Sequence, residues 1–294
     1  MVSVIIPTLN AASYINEIIS SLRQQMIECE IIIVDSSSSD NTAYIAKTGH
    51  AKILTIRQED FNHGNTRNTG VQAANNNTVI FLTQDALPTD LQCLENLVKP
   101  LNDPHILASF GRQVPRPDAS PTEKFTRLFN YPETPAVKGL EDIPRLGIKT
   151  FFFSNVCSAI KTKEFKELGG FPENIIMFED LIFAAKAILK GYKIAYVPDA
   201  KVWHSHNFSL VQQFRRYQDA GISLRNNAWI FEHSKANREG VEFLKRQIVY
   251  LSRNHQYQWI PYAIAESAFK FAGFWFGLHG VNSRKKTSIF SSTS

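Results

Sequence analysis

Asp85 stands just past an apolar run, Thr78 to Leu82, that reads as a buried strand. A second acidic pair, Glu179-Asp180, opens an apolar helical stretch, and His204-Ser205-His206 follows a further strand. In open α/β sheets, ligands gather outside the carboxyl ends of the strands. Polar groups at three such ends therefore point to one site for a metal, a phosphate ester and a base. An unpaired charge ending a buried strand is costly, and a hard divalent cation shared with substrate phosphates resolves that cost. Thr83 supplies no second carboxylate, so the cation needs a ligand from elsewhere. His204 and His206 share one face if their segment is extended, with His204 favoured because it is nearer the strand end. Hydrogen-bonded structural histidines are the alternative, and the absence of cysteines nearby argues against a structural zinc site. Asp180 reads as a base for an attacking hydroxyl; the plainer reading is that acidic residues stabilise a helix N-terminus.

Two further segments carry donors and acceptors. Asp35, in Val34-Asp35-Ser36-Ser37-Ser38-Ser39-Asp40, can accept a hydrogen bond from the ring N–H of a uracil or thymine, although an Asp/Ser loop capping a helix is common. In Phe61-Asn62-His63-Gly64-Asn65-Thr66-Arg67-Asn68, Gly64 permits unusual backbone angles. Arg67 offers a guanidinium fork for phosphate or a base carbonyl, or else a surface ion pair.

The elements that position these groups alternate. Val2 to Ile6 is a strand buried on both faces, ended by Pro7. A helix with the stripe Ile15, Ile18, Ile19, Leu22 follows, capped by Asn10 or Ser13. Next come a strand at Ile31 to Val34, a helix at Asp40 to Lys47, a strand at Ala51 to Ile56, a helix at Thr66 to Ala74 and a strand at Val79 to Leu82. Short loops between them predict a parallel sheet with right-handed crossovers. Beyond it, Ile106 to Arg112 and Phe151 to Ile160 read as strands, and Pro115 to Pro144 as a mobile loop over the site. Lys163 to Leu168 is a short helix stopped by Gly169-Gly170. Glu179 to Lys190 is a helix ended by Gly191, and Lys193 to Val197 a strand.

The chain has 294 residues, 44% hydrophobic and 20% charged, ordinary for a globular protein. No apolar run is long enough to span a bilayer, and the start lacks the charged region of a signal peptide. Cys29, Cys93 and Cys157 are odd in number and widely spaced, which fits a reducing cytoplasm. Residues 1–200 hold 19 Lys/Arg and 22 Asp/Glu, a net of −3, while residues 201–294 hold 13 and 5, a net of +8. That split suits an anionic partner or a merely solvated basic face. Val241, Leu244, Ile248 and Leu251 repeat at helical spacing, and Trp259 to Leu278 is aromatic-rich but broken by Glu266 and Lys270. The composition suits a helix lying in an anionic membrane interface; the alternative is a helical layer packed on the sheet. Nucleic acid is not expected as a partner.

In this order, Val4 to Asn10, Val34-Asp35 through Asp40-Asn41-Thr42, Arg67-Asn68, Asp85, Gly169-Gly170-Phe171, Glu179-Asp180 and His204 resemble family 2 glycosyltransferases of the GT-A fold. The resemblance covers residues 2 to about 220. Phe61-Asn62-His63-Gly64, Thr83-Gln84-Asp85-Ala86 and His204-Ser205-His206-Asn207-Phe208 narrow it to bacterial rhamnosyltransferases. It implies an α/β fold with a mostly parallel central sheet flanked by helices and a C-terminal helical extension. Residues 1–208 would form the catalytic domain, with a nucleotide half to about 112 and an acceptor half from 113, and residues 209–294 the extension. The implied enzyme is an inverting transferase on the inner face of the cell membrane, peripheral to it. Its donor is dTDP-L-rhamnose, with a UDP-hexose as alternative, and its acceptor a cell-surface polysaccharide or lipid-linked glycan such as O-antigen. Pro7, Thr8, Leu9, Asn10, Asp35, Ser37, Arg67, Gln84 and Asp85 would hold the nucleotide sugar. Asp85 and His204 would hold Mg2+ or Mn2+, Asp180 would be the base, and Glu179 would orient it or the acceptor. His206, Arg216 and Tyr217 would face the acceptor. Thr83 stands where the family's Asp-x-Asp has its first carboxylate, which implies weaker metal dependence. Gln213 to Tyr217 is similar to the Gln-x-x-Arg-Trp motif of processive members, but without a spanning helix single-sugar transfer is expected. A homo-oligomer is left open. Two rivals remain: a nucleotidyltransferase, which lacks its usual Gly-rich basic loop here, and a non-catalytic nucleotide-sugar-binding module.

Overall fold

The computed structural model describes residues 1–233 and 239–280; Lys235, Arg238, Arg284, Lys285 and Lys286 of the basic tail lie outside the described residues. The first half is a run of strand and helix. β1 (Val2–Thr8), α1 (Ala12–Arg23), β2 (Cys29–Asp35), α2 (Thr42–Thr48), β3 (Lys52–Thr55), α3 (His63–Gln72) and β4 (Thr78–Leu82) follow one another directly. Next come β5 (Leu87–Pro88), α4 (Cys93–Val98), β6 (Ile106–Val114), α5 (Pro121–Asn130), β7 (Ala136–Lys138) and α6 (Ile143–Leu146). β8 (Cys157–Lys161), α7 (Thr162–Glu167), α8 (Glu179–Leu189) and β9 (Lys193–Trp203) complete the sheet region. The helices α9 (Leu210–Arg225), α10 (Trp229–His233), α11 (Glu239–Arg253) and α12 (Ile260–His279) close the described chain.

The strands form one sheet in the order β3-β2-β1-β4-β8-β6-β9-β5, with β7 beside β9. β1 to β4 are parallel; β8 runs antiparallel to both β4 and β6, and β9 is parallel to β6. Six strands therefore point one way, and β5, β7 and β8 the other. Side chains alternate between the two faces. Ile5, Ile32, Val79 and Phe81 pack with Phe165, Phe171 and Phe183 on one side. Val4, Ile6, Ile31, Ile33 and Ile80 pack with Ile15, Ile18, Leu22, Leu94 and Leu97 on the other. Burial on both faces is why the strands read as continuous apolar runs.

Four local expectations change. The segment 115–144 is not a loop: it contains α5, whose start is Ser120 accepting from Glu123 N with Pro121 in the first turn. Proline there loses no hydrogen bond, so residues that suggest a loop in fact begin a helix. The strand expected over Phe151 to Ile160 is only Cys157–Lys161. The phenylalanines before it cluster instead, Phe152 and Phe153 meeting Phe110 edge-on at 5.6 and 5.7 Å. The helix expected from Thr66 starts at His63, because Asn62 Oδ1 accepts from Gly64 N and Asn65 N. Neither Asn10 nor Ser13 caps α1. Thr42 Oγ1 and Asp40 Oδ2 accept from Ala11 N and Ala12 N, a cap reaching across from the next βα loop.

In the C-terminal region, α11 packs on α5 through Phe243 and Tyr250 against Phe125 and Phe129. α9 and α12 run parallel at close range. A Cβ on Gly273 would lie 2.2 Å from Phe214 O, and one on Gly277 2.2 Å from Gln218 O. A helical layer thus forms, yet one side of α12 is uncovered: Ile264, Phe271, Trp275 and Phe276 are exposed, Phe271 at 71%. No described helix is long and apolar enough to cross a membrane.

Candidate active site

Because six strands share a direction, one edge of the sheet collects Thr8 and Asp35, the approach to Asp85, and His204. The reversal of β8 brings its beginning, not its end, to that same edge, and with it Asn155. One edge therefore assembles residues from five strands.

The part of this edge formed by β1, β2 and the Asp85 turn is built by cross-ties. Thr8 Oγ1 and Ser38 Oγ both donate to Asp35 Oδ1, at 2.9 and 2.5 Å, and Ser38 N donates to Oδ2 at 2.9 Å. Asp35 is 2% exposed, so its carboxylate is engaged inside the protein. The Gln84 amide meets the Leu9 backbone twice, accepting from its N–H at 2.8 Å and donating to its carbonyl at 3.2 Å, and so ties β1 to the Asp85 turn. Pro7 lies within β1. Asn10 and Ser37 adopt positive φ of 50° and 55°. The Ser37 hydroxyl donates to Ile56 O, and the Asn10 side chain accepts from Ser39 N. Such backbone conformations are rare outside glycine and cluster at functional sites.

At the centre, three ligand atoms converge. Asp85 Oδ2 is 3.5 Å from His204 Nε2 and 3.1 Å from His206 Nε2, and the two ring nitrogens are 3.2 Å apart. Among the described residues, these three group their ligand atoms closely enough to hold a metal ion. Burial pushes the His204 imidazole down to about 3, with Asp85 opposing and Arg127 assisting. The Asp85 carboxyl is held below the usual carboxylate range; burial opposes ionisation and the adjacent imidazoles outweigh it. A neutral imidazole and an ionised carboxylate are the protonation states that ligate a divalent cation. The donor set, two imidazole nitrogens and a carboxylate oxygen within 3.5 Å of one another, suits Mn2+ better than Mg2+, which prefers oxygen ligands, and leaves positions for phosphate oxygens. The sequence leaves open which of His204 and His206 is a ligand, the resemblance implying an acceptor-side place for His206; the structure brings both ring nitrogens up to Asp85. Behind His206, Phe208 stacks at 4.9 Å, and the Arg216 guanidinium lies 4.4 Å over the Phe208 ring. Tyr217 instead has Lys270 of α12 over its ring. Gln213 is turned into the helical layer, donating to Glu266.

The part of the edge around Glu179 and Asp180 is organised by α3 and α8. Phe178 takes a left-handed φ of 70° just before Glu179, which turns the acidic pair at the mouth of the helix in two directions. Glu179, 6% exposed, turns inward: its Oε1 is 3.3 Å from the Arg67 guanidinium and accepts from Asn155 Nδ2 at 3.2 Å. Asp180 is partly exposed and accepts from Asn155 N and Leu181 N, at 3.2 and 2.8 Å. Burial first, and the Glu179 charge second, push its carboxyl up to about 7. Burial pushes the Glu179 carboxyl up, but the Arg67 charge, with the Asn155 hydrogen bond, outweighs it and holds the carboxyl below its ordinary value. The two neighbouring carboxyls are thus driven apart, one held ionised and the other raised. Arg67 is 4% exposed and its Nε has no partner among the described residues. Asn68 exchanges hydrogen bonds with the Phe171 backbone at 2.9 and 3.0 Å, so Arg67-Asn68 and Gly169-Gly170-Phe171 are two halves of one contact. Asn155 and Gln113 escaped the sequence reading. Nothing in Phe153-Ser154-Asn155 or in the β6 pattern marks them, because their roles depend on strand direction.

A family model described as "Glycosyl transferase family 2" matches residues 3–169. An O-antigen chain rhamnosyltransferase, RfbN of Salmonella typhimurium, is 41% identical over 95% of this chain and 90% of its own. Another, WbaN of Salmonella anatum, is 41% identical over 94% and 89%. Among solved structures, a mannosyltransferase from Pyrobaculum calidifontis in complex with GDP-Man and Mn2+ superposes with a TM-score of 0.61. It is 22% identical and matches over 95% of this chain and 76% of its own, which shows likeness of fold.

Proposed function

We propose a donor, an acceptor and a mechanism for this chain, which belongs to glycosyl transferase family 2. It transfers L-rhamnose from dTDP-L-rhamnose to a hydroxyl of an O-antigen or related lipid-linked glycan, within residues 1–208, the remainder forming an extension. The observation that carries the reading is the convergence of Asp85, His204 and His206 at the sheet edge that also presents Asp180. The identity to two O-antigen rhamnosyltransferases supports the sugar.

Asp180, ionised above about pH 7, takes the proton of the acceptor hydroxyl. The hydroxyl oxygen bonds to the anomeric carbon from the face opposite the diphosphate. The carbon–oxygen bond to dTDP breaks as the new one forms, and the configuration inverts. Asp85, His204 and His206 would hold Mg2+ or Mn2+, which when bound offsets negative charge on the leaving diphosphate. Arg67, whose buried Nε has no partner among the described residues, is poised for the nucleotide, and Thr8, Leu9, Asn10, Asp35 and Gln84 shape its wall. Calorimetric titration with dTDP-L-rhamnose, UDP-glucose and UDP-galactose, each with and without Mn2+, tests this. Selective, Mn2+-enhanced binding of dTDP-L-rhamnose is expected; tighter binding of a UDP-sugar would overturn the donor.

A specific observation favours a peripheral position on the inner face of the membrane. The uncovered Ile264, Phe271, Trp275 and Phe276 of α12 lie in the region of net charge +8, with Lys245 and Arg253 exposed on α11. Aromatic side chains beside cations suit an anionic bilayer surface. Sedimentation with phosphatidylglycerol vesicles but not with phosphatidylcholine vesicles is expected, and equal recovery with both would refute it.

A further inference from the structure

The two histidines of the cluster are gripped from behind by a buried polar ring. Gln113, next to last in β6, is 2% exposed. Its Nε2 donates to Ser154 Oγ at 3.0 Å and to the Tyr131 hydroxyl. Its Oε1 accepts from the Arg127 guanidinium and lies 2.9 Å from His204 Nδ1. A guanidinium has donors only, so the atom facing Arg127 is the amide oxygen, and the orientation of the amide is fixed. The His204 Nδ1 that meets the same oxygen must then carry the hydrogen. That leaves Nε2 bare, facing Asp85 Oδ2 and His206 Nε2. Arg127 pairs at 2.6 Å with Glu123, one turn back on α5, and Glu123 Oε1 also accepts the His206 backbone N–H at 3.2 Å. The ring His204, Gln113, Arg127, Glu123, His206 closes behind both ligands.

We propose that Gln113 is a positioning residue that locks His204 in its Nδ1–H tautomer and so keeps Nε2 free to accept a divalent cation. Arg127, itself held by Glu123, fixes the direction of the amide. The cation side of this inference rests on the metal reading given above, while the tautomer does not. Metal-bound histidines generally owe ring orientation and tautomer to the partner of their other nitrogen. A carboxylate can replace the amide, because both oxygens accept and the Tyr131 and Ser154 hydroxyls can turn to donate. A thioether of similar length cannot.

The test compares the wild type, Gln113→Glu and Gln113→Met. Imidazole 15N shifts of the metal-free proteins report the tautomer of His204, and Mn2+ titration followed by electron paramagnetic resonance reports affinity. The wild type and Gln113→Glu should show Nδ1–H, and Gln113→Met a mixture. Mn2+ affinity should fall by about 10–100-fold in Gln113→Met and stay within about threefold in Gln113→Glu. A wild type with the hydrogen on Nε2 overturns the proposal, as does a Gln113→Met protein with the wild-type tautomer and affinity. If the wild type binds Mn2+ no better than Asp85→Ala, the metal reading fails, and the imidazole spectra alone then decide the role of Gln113. Failure of Gln113→Met to fold leaves the wild-type and Gln113→Glu spectra, either of which overturns the lock by showing Nε2–H.

Discussion

Replacing Glu179 by Gln should move the acid limb of the pH–rate profile without removing the base. Glu179 and Asp180 are adjacent, but the first is paired with Arg67 at 3.3 Å and the second is partly exposed. The Asp180 carboxyl rises from an ordinary 3.8 to about 7, with burial the larger cause and the Glu179 charge the second. The substitution keeps an oxygen for Asn155 Nδ2 and removes one negative charge. It also leaves the Arg67 cation unneutralised, and that cation already pulls Asp180 downward. Both changes act in the same direction, so the limb should fall by about one to two pH units, roughly 1.4–2.8 kcal/mol. The base works ionised, so activity is lost as pH drops through the folded-state value. At pH 6 the wild type should run at about a tenth of its plateau and Glu179→Gln at about half or more of its own. The assay is the initial rate at saturating donor from pH 5 to 9. Loss of the buried pair should lower stability by about 3 kcal/mol, so rates belong well below the melting temperature. A folded Glu179→Gln protein with an unmoved limb would refute the account of Asp180.

Other outcomes follow from the same contacts. Asp180→Asn should lower kcat by about 10²–10⁴-fold while leaving donor affinity nearly unchanged; wild-type turnover in that variant would mean another base. Asp85→Ala should weaken donor binding and abolish its enhancement by Mn2+, read by calorimetry with and without EDTA. Burial pushes the His63 imidazole down to about 4, so folding favours its neutral form. Stability should therefore decline as pH falls from about 6.5 towards 4, by on the order of 2 kcal/mol after allowance for partial exposure. Urea titrations of His63→Gln should show a flatter dependence. Gly273→Leu should destabilise by about 3 kcal/mol or more, since its Cβ would start 2.2 Å from Phe214 O and both helices must separate; an unchanged melting temperature would contradict the close contact of α9 and α12.

The legible parts of this chain are those in which one residue ends one element. Asp85 after Leu82, and His204 after the last strand, could be placed at strand ends from hydropathy alone. Parallel direction followed from the intervening helices, so the shared edge followed as well. What sequence cannot display is a partner reached through a reversal. Asn155 serves Asp180 only because β8 runs backwards, and a five-residue strand carries no mark of its direction. Gln113 sits among the buried residues of β6 and looks like an ordinary strand polar group until α5 comes to rest over it. α5 itself was hidden by its prolines. The cap of α1 was missed for a related reason: Asp40 and Thr42 reach back from the next loop, whereas capping patterns are read within a few residues.

β9 has a consequence in time. Its parallel pairing sets Ile106 beside Lys193, and His204 is held only once β9 has extended past Val114. A growing chain can complete β1 to β4 and their helices within its first 82 residues, because the pairings β1–β2, β2–β3 and β1–β4 all lie inside that span. The cluster cannot form then. Its carboxylate is synthesised more than a hundred residues ahead of its imidazoles, and closing that interval requires non-local strand pairing, the slow kind. Asp85 must therefore wait, exposed and without its ligand partners, until about two thirds of the chain has been made. The burial of His204 and His206 beside Asp85, and with it the Mn2+ affinity proposed above, should accordingly lag behind the burial of the first half of the sheet during refolding.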